Sequence, residues 1–110
     1  MKVSELVEKS GWKNCSTNES LDKEIQGVYV GDLLSWVMGR GQPDEAWITV
    51  QSHLNIISVA VLREFSCIII ADCVEIPEEV INKAKEENIA LISASGTAFD
   101  CAKKCIEFGL

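Results

Sequence analysis

Ala46-Trp47-Ile48-Thr49-Val50, then Ser52 to Glu64, then Ser66-Cys67-Ile68-Ile69-Ile70-Ala71: this stretch decides the fold. The first segment has the β-branched and aromatic content of a strand. Ser52 is positioned to cap a helix running to about Glu64, and that helix is apolar on nearly every side, through Leu54, Ile56, Ile57, Val59, Ala60, Val61 and Leu62. Such a helix must be covered all round, by the sheet and another element or by a second copy of the chain. The unbroken Ile68-Ile69-Ile70 reads as a strand covered on both faces, as in parallel sheets.

Downstream, Pro77 followed by Glu78 and Glu79 opens a helix to about Asn88, with Glu79 and Lys83 spaced for an ion pair. Ile89 to Ile92 is a further short strand, and Ser95 is read as the cap of a last helix ending at Gly109. From Ala46 onward the order is strand, helix, strand, helix, strand, helix, which is two successive βαβ units with parallel strands.

Upstream the signals are weaker. Val3, Leu6 and Val7 recur at helical spacing, with Ser4 read as the cap and Gly11 as the stop. Asn14 to Ser20 is a polar loop by composition, Glu24 to Gly31 a strand interrupted or bulged near Gly27, and Gly39 to Asp44 a surface turn. Periodicity leaves open whether the N-terminal strands extend the sheet or form a small second layer.

The expected product is one α/β domain covering residues 1–110, a three-layer sandwich with a mainly parallel central sheet. Composition agrees: 110 residues suit a single domain, and 47% hydrophobic residues supply a core. The formal charge of −7 is the wrong balance for following a phosphate backbone, so no nucleic-acid partner is expected. The apolar runs Ile56 to Leu62 and Cys67 to Ala71 are far short of the roughly 20 residues that span a bilayer, and the N-terminus shows no secretory signal. No membrane association is expected, and a cytoplasmic location is.

Five cysteines, none in a CxxC pair, read as free thiols in a reducing compartment. Cys101 and Cys105 stand a helical turn apart and could clamp a metal. They also fall on an apolar stripe with Ala98, Ala102 and Phe108, and core packing is the expected role. No metal site is expected.

In a parallel sheet, ligands bind beyond the carboxyl ends of the strands. There the sequence collects Gln51, Ser52, His53 and Asn55 after one strand, Asp72 after the next, and Ser93, Ser95, Gly96 and Thr97 after the last. Asp32 and Ser35 join this rim if the strand before them is parallel. The candidate ligand-binding residues are Asp32, Ser35, Gln51, His53, Asn55 and Asp72. His53 suits a ligand hydrogen bond, a titrating switch or a purely local role. Asp72 suits a ribose hydroxyl or a turn, and the Ser93 to Thr97 segment suits a phosphate or ordinary capping.

Catalytic signatures are missing. There is no G-x-x-x-x-G-K-[ST], no G-x-G-x-x-G after a strand, no G-x-S-x-G and no H-E-x-x-H. A thiol enzyme built on Cys73 and His53, or acid–base work by His53 and Asp72, ranks below a non-catalytic role. No catalytic residue is assigned.

Leu21-Asp22-Lys23-Glu24-Ile25-Gln26-Gly27-Val28, followed by Gly31-Asp32-Leu33-Leu34-Ser35 and Trp47-Ile48-Thr49-Val50-Gln51, resembles the DRTGG domain. In particular the chain is similar to the small stand-alone DRTGG proteins of anaerobic bacteria and archaea, over nearly its whole length. Asp22 and Gly27 fit the naming motif, while Lys23 stands where arginine is usual and Gln26 where threonine is. The resemblance implies a fold like the N-terminal domain of HPr kinase/phosphorylase, shared with the DRTGG regions of phosphate acetyltransferases and of CBS-domain pyrophosphatases. It implies a role in oligomerisation and nucleotide-responsive regulation, and it implies no HPr kinase activity, since that belongs to a P-loop domain. It also implies accessory proteins encoded beside hydrogenase-like and histidine-kinase-like genes.

Together these readings lead to a non-catalytic regulatory or interaction domain. It is expected to be homodimeric, partly through the Ser52 to Glu64 helix, with an adenine nucleotide or similar small anion at the rim and no other cofactor. The alternative is a purely structural adaptor for a hydrogenase-like or histidine-kinase-like partner.

Overall fold

The computed structural model describes residues 1–110. Five strands form one sheet in the order β1-β5-β4-β3-β2: β1 Lys13–Asn14, β2 Gly27–Val30, β3 Glu45–Thr49, β4 Cys67–Ile70 and β5 Ala90–Ser93. β2 to β5 are parallel, and β1 is antiparallel to β5, pairing Lys13 with Ser93 and Asn14 with Ile92. Both N-terminal strands therefore extend the sheet, one at each edge.

Five helices cover the two faces: α1 Val3–Ser10, α2 Leu34–Arg40, α3 Asn55–Arg63, α4 Glu78–Glu86 and α5 Ala98–Glu107. Because β2, β3, β4 and β5 follow one another across the sheet, crossovers of one hand put α2, α3 and α4 on a single face. There Val37, Ile56, Ile57, Ala60, Val80 and Ala84 meet Trp47, Ile68, Ile70 and Leu91. On the other face Val3 and Leu6 of α1 and Cys101 and Cys105 of α5 meet Ala46, Ile48, Cys67, Ile69, Ala90 and Ile92. Strand alternation explains the partition: Ile68 and Ile70 point one way and Ile69 the other, all three without exposed surface. At about 1.5–3 kcal/mol per fully buried side chain of this size, the Ile68-Ile69-Ile70 run alone offsets the ordering of several residues. The architecture is the expected three-layer α/β sandwich.

Trp47 ties the layers together. Its indole N–H donates to the Gly31 carbonyl at 2.9 Å, and its ring lies 5.6 Å from that of Phe65. Gly41 is what lets Phe65 close beside the end of α2, since a Cβ there would stand 2.7 Å from Phe65 Cε1 and 2.9 Å from the Val37 carbonyl.

Several local expectations are corrected. α1 starts two residues earlier than the Ser4 reading allows: Lys2 is the cap, and its N–H is held by Glu5 at 3.2 Å. The polar segment after Asn14 is not all loop, for Glu19–Asp22 is a 3-10 turn and Lys13–Asn14 an edge strand. The strand before Asp32 is shorter than expected and begins at Gly27, while Glu24 makes only an isolated bridge to Lys2. The surface turn at Gly39 is the end of α2.

Ser52 does not cap α3. The Gln51 N–H is taken by the Thr49 hydroxyl and the Val50 N–H by Asp32, so the chain turns once more, through His53 and Leu54, before the helix begins. Ser95 does not cap α5 either. Thr97 does, its hydroxyl accepting the Asp100 N–H while Asp100 accepts the Thr97 N–H, each at 3.1 Å. Lys83 pairs not with Glu79 but with Glu86 at 3.5 Å and Glu87 at 3.4 Å. Finally, α3 buries Ile56, Ile57, Val59 and Ala60 but leaves Leu54, Val61 and Leu62 in water.

Candidate functional site

With β2 parallel to β3, the carboxyl ends of four strands share one rim, and the chain after each supplies its polar groups there. Two corners of this rim are built differently.

At the β2–β3 corner, the Asp32 carboxylate accepts the Thr49 hydroxyl at 2.8 Å and the Val50 N–H at 2.9 Å through the same oxygen, Oδ1. Gln51 Nε2 donates to the Asp32 main-chain carbonyl at 3.0 Å. The parallel register sets this up: Val30 lies beside Ile48, so the residue two past β2 reaches the end of β3. Asp32 and Gln51 are thus brought together, and their bonds close the corner. The second carboxylate oxygen of Asp32 makes no bond within the chain.

At the β4–β5 corner, β4 feeds α4 on one face and β5 feeds α5 on the other. Loops leaving for opposite faces open a crevice in parallel sheets. Here main-chain bonds bridge it: Asp72 N–H donates to the Gly96 carbonyl at 2.7 Å and Cys73 N–H to the Ala94 carbonyl at 3.1 Å. Both residues adopt positive φ, 62° and 53°, which carries the chain sharply off the strand. The Asp72 side chain is exposed and makes no hydrogen bond within the chain.

Ser35, His53 and Asn55 are exposed as well, and their side chains make no internal hydrogen bond. Ser35 lies on the first turn of α2, beside a shallow hollow of about 540 Å³ shared with Trp36, Gly39 and Arg40. Asp32, Gln51, His53, Asn55 and Asp72 line none of the surface hollows. The hollow nearest the β5 end holds about 380 Å³ and includes Trp12, Gly96, Asp100, Lys103 and Lys104. Sequence reasoning placed Ser95 and Gly96 of this hollow at the rim but missed Trp12, Asp100, Lys103 and Lys104, although Thr97 with Asp100 three residues on is a capping signature.

The thiols divide by position. Cys67, Cys101 and Cys105 are buried and Cys73 is exposed. Burial pushes Cys67 far up from the ordinary thiol range and Cys105 up to about 11, with the neighbouring Cys101 adding to the second shift. A proton held this firmly removes the nucleophilic thiolate. No three His, Cys, Asp or Glu side chains converge as a metal site would require. No helix is long and apolar enough to cross a membrane.

No model of a known protein family matches the sequence. No curated protein matches it either. Among solved structures, the chain is similar to the CBS and DRTGG domains of the regulatory region of a Clostridium perfringens pyrophosphatase, complexed with the activator diadenosine tetraphosphate. The TM-score is 0.71 at 16% identity, over 93% of this chain and 44% of that one. The chain thus spans less than half of that structure. The likeness establishes the fold, an α/β domain like that found within this regulatory region.

Proposed function

We propose that this chain is a non-catalytic regulatory or interaction domain that works as a homodimer and responds to a nucleotide or similar small anion at the rim. The observation that carries the reading is the apolar surface left uncovered on the helix layers: Leu33 and Trp36 at α2, Leu54, Val61 and Leu62 at α3, and on the opposite layer Phe99 and Ile106 of α5. Side chains of this size held in water beside a complete core mark a surface that is covered by another chain. The fold supports the regulatory part, because the similar structure is a regulatory region crystallised with a nucleotide activator. At the rim, Ser35, His53, Asn55 and Asp72 are the side chains free to meet a ligand, while Asp32 and Gln51 hold the strand ends in place. A ligand would act by favouring one dimer arrangement over another.

Light scattering on the eluting protein tests the assembly, with a mass of two chains expected. Thermal melts with adenosine mono-, di- and triphosphate, diadenosine tetraphosphate and inorganic phosphate test the ligand. A raised midpoint with at least one nucleotide, diminished by His53→Ala or Asp72→Asn, is the expected result; flat melts with all of them remove the ligand from the reading.

One observation favours a second reading, a structural adaptor. Between α3 and α4 runs a groove of about 210 Å³, lined by Ile57, Ser58, Val61, Leu62, Lys83 and Glu87. An amphipathic helix of a partner enzyme or histidine kinase fits such a half-apolar trough.

A further inference from the structure

We infer that the free edge of β2, together with Val30, Leu33 and Trp36, is where a second copy of this chain docks, strand antiparallel to strand, making one continuous sheet from two protomers. The inference rests on the homodimer reading above and names the surface that forms it.

The two edges of the sheet differ. At one, β1 is two residues long and begins with Lys13, the short and charged kind of edge that discourages pairing. At the other, β2 pairs only with β3, and Gly27-Val28-Tyr29-Val30 carries neither charge nor proline. Its outward main-chain groups are open to another strand.

Charge sets where two copies can touch. Each chain carries −7, so copies repel except where charged side chains are scarce. Between Ile25 and Gly39 the only charged residue is Asp32. That nearly uncharged strip coincides with the free edge, and the large apolar side chains beside it are well exposed: Val30 49%, Leu33 61% and Trp36 52%. Leu33, Trp36 and Arg40 fall on one stripe of α2 and its cap, and the Arg40 guanidinium sits over the Trp36 ring, 4.0 Å from its centroid.

The surface is also complementary to itself. A two-fold contact must match a patch with its own copy. Two β2 strands pairing antiparallel bring the two α2 helices alongside in opposite directions, so the Arg40 end of each lies over the Asp32 end of the other. Arg40 has no carboxylate partner within its chain, and one Asp32 oxygen is unused. A foreign peptide strand would pair the same main-chain groups without this reciprocal exchange.

The test combines light scattering with hydrogen exchange. Wild-type protein and Leu62→Glu, on α3, are expected to run as dimers, and Trp36→Glu as a monomer with an unchanged circular dichroism spectrum. Amides of Gly27 to Val30 are expected to exchange more slowly as protein concentration rises, while those of β1 do not change. A monomeric wild type overturns the homodimer reading and this inference together. A wild-type dimer that survives Trp36→Glu, or β2 amides whose exchange ignores concentration, overturns the inference and leaves the homodimer standing on another surface. If Trp36→Glu disturbs the fold, the exchange result on the wild type decides.

Discussion

The exposed carboxylate of Asp32 holds the buried hydroxyl of Thr49 at 2.8 Å, across the carboxyl ends of β2 and β3. That one bond joins the candidate rim to the core, since Thr49 is covered on every side and its hydroxyl also receives the Gln51 N–H at 3.1 Å. Asp32→Ala strands a buried hydroxyl and the Val50 N–H, at a cost of about 1–3 kcal/mol. Thr49→Val removes the same bond from the other side. Urea titrations of both single variants and the double variant should show clear non-additivity, because the second change finds the bond already gone.

Two glycines near the end of α2 should respond in opposite directions. Gly41→Ala drives a Cβ into Phe65 and the Val37 carbonyl and should destabilise by about 1–3 kcal/mol. At Gly39, inside α2, nothing lies within 4 Å of the added methyl. Gly39→Ala should stabilise by about 0.5–1 kcal/mol, as helix preference dictates. Melting temperatures of the two variants, one below and one above the wild type, check the pair.

At α5 the cap is Thr97, and the reciprocal bonds with Asp100 make that choice measurable. Thr97→Ala should lose about 1 kcal/mol. Ser95→Ala, two residues earlier, should change stability by less than about 0.5 kcal/mol. Chemical denaturation in parallel distinguishes the two positions.

The buried thiols predict an alkaline weakness. As pH passes 9.0, the ordinary thiol value, the unfolded chain releases the Cys105 proton while the folded chain keeps it up to about 11. The folded state then binds more protons than the unfolded one, so stability falls with rising pH through that window and is intact below it. Cys67, raised further by burial, adds to the slope. Urea midpoints measured across the window should decline, and less steeply in a Cys67→Ala/Cys105→Ala variant. At neutral pH a thiol reagent should label Cys73 first and reach Cys67, Cys101 and Cys105 only on unfolding.

How far the molecule was legible follows from where its signals are local. The β3 to α5 half could be read because Ile68-Ile69-Ile70, Pro77 and the apolar run from Ile56 each carry their own instruction. α2 escaped notice because it is seven residues long, is capped by Leu33 with no side-chain bond, and ends at a glycine that reads as a turn. Leu34, Val37 and Met38 at helical spacing were its only trace. Lys13–Asn14 could not be read as a strand, because what makes it one is Ser93 and Ile92 near the opposite end of the chain. The same limit applies at the rim. Parallel topology was enough to bring Asp32 near Gln51, but that Asp32 would capture the Val50 N–H depends on the register of Val30 with Ile48. That capture also displaced the start of α3 past Ser52.

The pairing of Lys13 with Ser93 sets an order of assembly. β2, β3 and β4 each pair with the next strand in the chain, so each closes a short loop as soon as its neighbour exists. The segment Lys13 to Thr17 has no such neighbour: β1, the Cys15 N–H on the Leu91 carbonyl and the Thr17 hydroxyl on Asn88 all wait for the β5 end of the chain. Lys13 to Thr17 therefore precede β2 in the chain yet find their places only after β5, and one face of the sheet stays open until α5 arrives.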